Sequence, residues 1–256
     1  MTRLLGVLAL ISAAAAFGQA AVRPDPLQPG TAFQSADVRA LQADDFANPG
    51  MLWVARGAEF WAARPAGGGK ACAGCHGEPA AMRGVATRYP RHDPELRRVT
   101  DLSGRIDACN RRHQGGEGYP PESQALLSLA ALVSHQSRGM PVAVDVSGPA
   151  NAAFREGQAL YRTRIGQLNL ACTHCHDANW GRTLLAEPIS QGHPTGWPAY
   201  RLEWQSLGSL QRRLRACFFG VRAAQPAAGS EDLLALELYL ADRARGLAVE
   251  APGVRR

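Results

Sequence analysis

A chain of 256 residues has room for one large domain or two small ones. Its formal charge of +6 reads mostly as a solvated basic surface, and no recognisable nucleic-acid-binding motif accompanies it, so nucleic acid is excluded as a partner. A positive field favours encounters with an anionic small substrate or an acidic protein instead, and the absence of any long apolar stretch after residue 20 excludes stable membrane insertion.

Residues 1–20 read as an export signal. Arg3 is their one charge, Leu4 to Phe17 is an apolar run, and small residues surround Gly18 and Ala20. An uncleaved anchor is the alternative, but the run is short for a span and the polar, Pro-containing stretch Arg23–Gly30 follows it. The expected location is a bacterial periplasm, an oxidising compartment. Residues 21–50, rich in Pro, Ala and Asp, are expected to form an extended lead-in, with regular structure beginning near Met51.

Gly57-Ala58-Glu59-Phe60-Trp61 is placed on a helix that leads, through a loop at Pro65–Gly69, into Cys72-Ala73-Gly74-Cys75-His76. A hundred residues later Arg155–Tyr161 leads into Cys172-Thr173-His174-Cys175-His176. Gly57 and Gly157 each precede the first motif cysteine by fifteen residues. Further on, Arg105-Ile106-Asp107-Ala108-Cys109 matches Arg213-Leu214-Arg215-Ala216-Cys217, the second lying on a short helix over Ser209–Gly220. Each is followed by a loop and an apolar helix, Glu122–His135 in the first case and Glu231–Ala241 in the second, the latter capped by Ser230 with Leu233, Leu236 and Leu240 on one face. Four elements in the same order argue for internal duplication, with a boundary near Pro141–Pro149. The second copy is longer, partly because of the loop Gly192–Pro198. Strand signals are scarce, so the fold class is mainly α with long loops. Each copy is small for a self-sufficient core, and a buried haem would supply apolar volume.

CxxCH is the attachment signature of c-type haem. Two cysteines three apart on a helical turn reach the two vinyl groups of one porphyrin, and the adjacent histidine faces the iron. Cys72, Cys75 and His76 would hold one haem and Cys172, Cys175 and His176 a second. A disulfide or zinc could explain an isolated CxxC but fits poorly with CxxCH occurring twice. His174 falls between attachment cysteines and is not expected to be a ligand. Two cysteines remain, Cys109 and Cys217. The methionines, Met1, Met51, Met82 and Met140, all precede the second motif, which leaves Cys217, His193 or nothing as sixth ligand from that half. The first half offers Cys109, with Met82, Met140, His92, His113 and His135 as alternatives. A Cys109–Cys217 disulfide competes with these ligand roles. A thiolate-ligated iron favours the ferric state, which points away from plain electron shuttling. Arg213, four before Cys217, shares a helix face with it and would favour the thiolate and hold a sulfur oxyanion; with Arg105 in the same relation to Cys109, pairing of both arginines with haem propionates is the alternative. Arg212 and Arg215 point elsewhere on the helix and are placed at the surface or at a partner contact.

With these residues assembled, the chain resembles the SoxA family, the dihaem c-type cytochrome subunits of SoxAX thiosulfate-oxidising complexes. The resemblance spans about Phe46 to Leu240 and rests on both CxxCH motifs, on Cys109 and Cys217, on Trp197-Pro198-Ala199-Tyr200-Arg201-Leu202-Glu203-Trp204-Gln205, and on Arg213-x-x-x-Cys217. It implies two tandem cytochrome c-like domains, set here at residues 51–145 and 146–256, and two covalently bound haem c groups. It implies a monohaem SoxX-like partner subunit and an L-cysteine S-thiosulfotransferase activity that joins thiosulfate oxidatively to a cysteine of a SoxYZ-like carrier. It also implies that Cys217 is the active-site haem ligand, found as a persulfide in relatives, that Arg213 lines the substrate channel, and that Cys109 ligates the first haem. A dihaem electron-transfer cytochrome without bond-making is the alternative, and a dihaem peroxidase with an open iron site a third reading.

Overall fold

The lead-in is not extended. In this computed structural model, which describes residues 24–65 and 68–256, a 3-10 turn at Gly30–Phe33 precedes helix α1 (Ala36–Ala43). The Ser35 hydroxyl accepts the Val38 N–H and so satisfies one of the orphan donors of the first turn. The segment read as an export signal, residues 1–20, lies outside the described residues.

Helix α2 (Gly50–Ala62) carries the chain to the one-turn helix α3 (Ala73–His76) of the first CxxCH motif. A hairpin, β1 (Arg91–Asp93) with β2 (Arg98–Thr100), delivers helix α4 (Leu102–His113), which bears Cys109. Helix α5 (Gln124–His135) then lies back across α2. Helix α6 (Asn151–Arg162) leads to α7 (Cys172–His176), the second motif. A two-residue hairpin, β3 (Thr183–Leu184) with β4 (Glu187–Pro188), and a long loop follow. A second three-residue hairpin, β5 (Ala199–Arg201) with β6 (Ser206–Gly208), delivers helix α8 (Leu210–Gly220) and Cys217. Helix α9 (Glu231–Arg243) lies across α6, and β7 (Gly253–Arg255) pairs in parallel with β5. The mainly α reading with short strands and long loops matches this element order.

Glycine decides how closely the two long helix pairs approach. A Cβ on Gly57 would stand 2.3 Å from the Ser128 carbonyl oxygen of α5, and one on Gly157 would stand 2.0 Å from that of Ala235 in α9. The two glycines that mark the sequence repeat are therefore the two crossing points. Side-chain caps start the helices that follow: Asp101 for α4, Ser123 for α5, Ser209 for α8 and Ser230 for α9. Each such cap stabilises by about 1 kcal/mol.

Both α5 and α9 are buried on every side. All residues from Leu126 to Ser134 are buried, and so are Leu233 to Ala241. The face with Leu233, Leu236 and Leu240 packs with Tyr161, Leu214 and Tyr239, while Leu234, Leu238 and Ala241 pack with Val99, Val142, Val144 and Val249. The second of these clusters draws on residues from both halves of the sequence. The stretch after α5 is likewise no free linker: Gly139 and Val142 donate to Val249 and Leu247, and Gly246 and Val249 donate back to Val142 and Met140. Among the described residues no helix is long and apolar enough to cross a membrane.

Candidate active site

The second CxxCH turn is held from three sides. His176 Nδ1 lies 2.7 Å from the Ser190 carbonyl oxygen. A carbonyl can only accept, so Nδ1 carries the proton and Nε2 presents its lone pair. This is the arrangement that orients a metal-ligating histidine. Burial lowers the His176 pKa, with Arg213 and Arg243 adding to that effect against the Ser190 bond, so the imidazole is held neutral. Gly192, at φ +76°, passes beneath the ring, and a Cβ there would come within 3.1 Å of it. Behind the turn, the Tyr161 hydroxyl donates to Asp177 Oδ1 at 2.8 Å and Arg243 reaches the same oxygen at 2.6 Å. Arg243 is 1% exposed and its guanidinium lies over the Tyr161 ring.

The first turn is held differently. Trp61 Nε1 donates to the Gly77 carbonyl at 2.8 Å and its ring stands against His76, centroids 5.7 Å apart. Gln114 Nε2 donates to the Lys70 carbonyl at 2.9 Å and reaches Cys72 Sγ at 3.5 Å.

The six cysteines are all free and fall into two groups of three. Burial, and then the Cys217 thiol, push Cys172 up to about 12, and burial and Cys217 likewise raise Cys175. In the first half burial raises Cys72, with Cys109 and Cys75 adding to it, while burial, Cys75 and Glu95 raise Cys109 against the Arg105 charge. Cys217 thus stands with Cys172 and Cys175, and Cys109 with Cys72 and Cys75. A Cys109–Cys217 disulfide would have to join the two groups, and it is not formed.

Other residues weighed in the sequence lie as follows. His193 Nδ1 meets the Gln28 carbonyl at 2.7 Å, where the lead-in crosses the loop that holds His176. Gln28 and Pro26 also bond Gln191 of that loop. His174 Nδ1 accepts the Ala171 N–H at 3.0 Å, closing the motif's own turn. Met82 packs in the first core. Arg105 is paired with Asp93 at 3.0 Å and Glu95 at 3.2 Å. The Arg212 guanidinium lies 4.0 Å from the centroid of the Trp204 ring.

These donor sets fit covalent haem: each half brings a CxxCH turn together with a third cysteine, and in the second half a neutral histidine presents Nε2. The family model for the SoxA/TsdA cytochrome c domain matches residues 56–142. The L-cysteine S-thiosulfotransferase subunit SoxA of Pseudaminobacter salicylatoxidans is 40% identical over 229 residues, 89% of this chain and 80% of that protein. The chain belongs to the SoxA family. The SoxA subunit of Rhodovulum sulfidophilum is 36% identical over 98% of this chain and 88% of its own length. The crystal structure of SoxXA from P. pantotrophus superimposes with a TM-score of 0.86 at 38% identity, covering 89% of this chain and 86% of that one. As a SoxA-family cytochrome c, the chain carries covalent haem c.

Sequence reasoning did not find Ser190, Gly192, Asp177 or Arg243. Ser190 acts through its main chain, which leaves no mark on residue identity. Gly192 was legible only as a loop glycine, and Arg243 reads as one more basic residue at a helix end.

Proposed function

We propose that the chain folds as two duplicated cytochrome c-like units, about residues 51–145 and 146–256, each holding one haem c. Cys72, Cys75, His76 and Cys109 would hold the first, and Cys172, Cys175, His176 and Cys217 the second. The matched glycine crossings and the matched groups of three cysteines support this division. The activity proposed is that of an L-cysteine S-thiosulfotransferase, joining thiosulfate to a cysteine of a SoxYZ-type carrier in company with a monohaem SoxX-type subunit, in the periplasm. The observation that carries the reading is the Cys217 thiol beside Cys172 and Cys175, with neutral His176 behind them.

The reaction forms one sulfur–sulfur bond and releases two electrons. The Cys217 thiolate bonds to the outer sulfur of thiosulfate. The carrier thiolate then attacks that outer sulfur, and Cys217 departs as thiolate, which restores the start. The carrier's proton goes to solvent. Haem held by these residues would supply one-electron acceptor chemistry for the two electrons, with the partner subunit as their outlet. Arg213 neutralises the substrate dianion, which otherwise repels an anionic sulfur. His176 is fixed in tautomer and orientation by Ser190, and the Gly192 approach keeps the ring from turning.

Cys217→Ala is expected to abolish conjugation while peptide mass spectrometry still finds haem on both CxxCH peptides. Turnover by that variant would refute the role of Cys217. An extra sulfur atom on the wild-type Cys217 peptide would be the expected resting mark of the intermediate.

A further inference from the structure

One constant offset carries Pro90 to Pro198, Asp93 to Arg201, Arg105 to Arg213 and Cys109 to Cys217. The elements follow it: in each hairpin three residue pairs are in register, Asp93 ends β1 as Arg201 ends β5, and the cysteine helix comes next. The two positions carry opposite charge. In the first half Asp93, 5% exposed, binds Arg105 at 3.0 Å, and the guanidinium is neutralised on the spot. Against the upward push of burial, the Leu96 and Glu95 N–H groups and Arg105 hold the Asp93 carboxyl below its usual range.

In the second half the acid is replaced by a base. Arg201 is 4% exposed, and its Nε meets no hydrogen-bond partner among the described residues. Burial and then the nearby Arg213 charge lower its pKa, and Arg201 in turn lowers that of Arg255. Arg255 is paired with Glu250 at 3.0 Å, while the ion-pair partner of Arg201 among the described residues is Glu203, whose side chain is 66% exposed, and the Arg201 guanidinium lies 5.1 Å from the centroid of the Trp204 ring. Arg213 makes no ion pair of its own among the described residues, and its charge is felt at His176. A buried guanidinium beside another is costly unless an anion joins them.

We propose that Arg201 and Arg213 form a two-guanidinium subsite for an oxyanion beside Cys217, created by the exchange of an acid for a base at the position Asp93 holds in the first half. Two forks on one tetrahedral or planar oxyanion give charge-assisted, directional hydrogen bonds. The sulfonate end of thiosulfate is one source of that anion and a carboxylate of the haem itself is the other. The inference rests on the reading of Cys217 as the reacting centre.

The test uses the haem-loaded complex, with sulfate as an unreactive dianion probe. Arg201→Asp rebuilds the acid–arginine pair that already folds in the first half. It is expected to raise KM for thiosulfate about tenfold or more, with a smaller change in kcat, and to remove competition by sulfate. Glu203→Gln, a surface change, is expected to do the opposite, tightening sulfate about two- to fivefold, and it decides the matter if Arg201 variants do not fold. Unchanged sulfate competition with a shifted midpoint potential of the second haem in Arg201→Asp assigns the subsite to the haem carboxylate. Wild-type KM, sulfate competition and potential in Arg201→Asp would overturn the subsite, as would unchanged or weaker sulfate binding and an unmoved potential in Glu203→Gln. A wild-type complex that binds sulfate but conjugates no thiosulfate would overturn the reading of Cys217 and leave the subsite standing.

Discussion

At the scale of single residues, the second CxxCH turn depends on groups that touch His176 from behind. Gly192 combines a left-handed φ of +76° with a would-be Cβ 3.1 Å from the imidazole. An L side chain in that conformation costs about 1–2 kcal/mol before any clash is counted. Gly192→Ala is therefore expected to lower stability by about 2 kcal/mol and, with one haem at each CxxCH turn as proposed, to disturb the spectrum of the haem at His176 but not that of the other. Denaturant unfolding and low-temperature EPR would check the two parts. What was legible at this scale follows from how local each constraint is. Cysteine attachment demands a fixed spacing along the chain, so Cys72, Cys75, Cys172 and Cys175 announce themselves. Cys109 and Cys217 stand out because the repeat aligns them. The Ser190 carbonyl and the Asp177–Arg243 pair are long-range contacts made by common residues, and no spacing rule exposes them.

At the scale of elements, the repeat glycines are packing devices. A methyl group on Gly157 would sit 2.0 Å from a backbone oxygen of α9, which cannot step aside without parting the helices. Gly157→Ala is expected to cost about 2–3 kcal/mol and to lower Tm by roughly 5–10 °C, and Gly57→Ala to behave alike. A thermal melt of the haem-loaded protein at wild-type Tm would contradict the crossing geometry. Helices α5 and α9 were legible as apolar stretches, α9 with Ser230 as its cap, and α8 as a short helix bearing Cys217. Helix α1 was not, because it is eight residues long, has no buried residue and lies in a Pro-rich stretch. The reading of one apolar face on α9 was incomplete: Leu234 and Leu238 turn the other way into a cluster that includes Val99 and Val142.

At the scale of the whole molecule, the halves meet around a cavity of about 120 Å³ lined by Tyr89, Asp101, Trp197, Leu210 and Glu237. Glu237 is 5% exposed, faces Asp101 and Glu122, and has Gln211 as hydrogen-bond donor. Burial, then those like charges, hold its pKa well above the ordinary 4.5. A carboxyl raised in this way takes its proton into the fold. Its contribution is whole below about pH 4.5 and is lost as pH rises toward the folded value, because the native state then binds more protons than the unfolded one. Stability is thus expected to decline with rising pH toward neutrality, and Glu237→Gln, which keeps the neutral shape, to flatten that decline. Chemical denaturation at several pH values would show equal slopes for both proteins if Glu237 were ionised in the fold.

The clasp between the early and late parts of the chain bears on the order in which the molecule can be assembled. Strand β7 lies against β5, and Val254 N–H donates to the Gln42 side chain 212 positions earlier, while Asn48 reaches the Pro252 carbonyl. Gln28 and Pro26 in turn brace the loop that holds His176. A growing chain exposes α1 long before its seat exists. The Cys72–His76 turn is made while that seat is still unmade. The seat of α1 is complete only once β7 has arrived, so the lead-in that braces the loop behind His176 gains a neighbour from the far end of the second half.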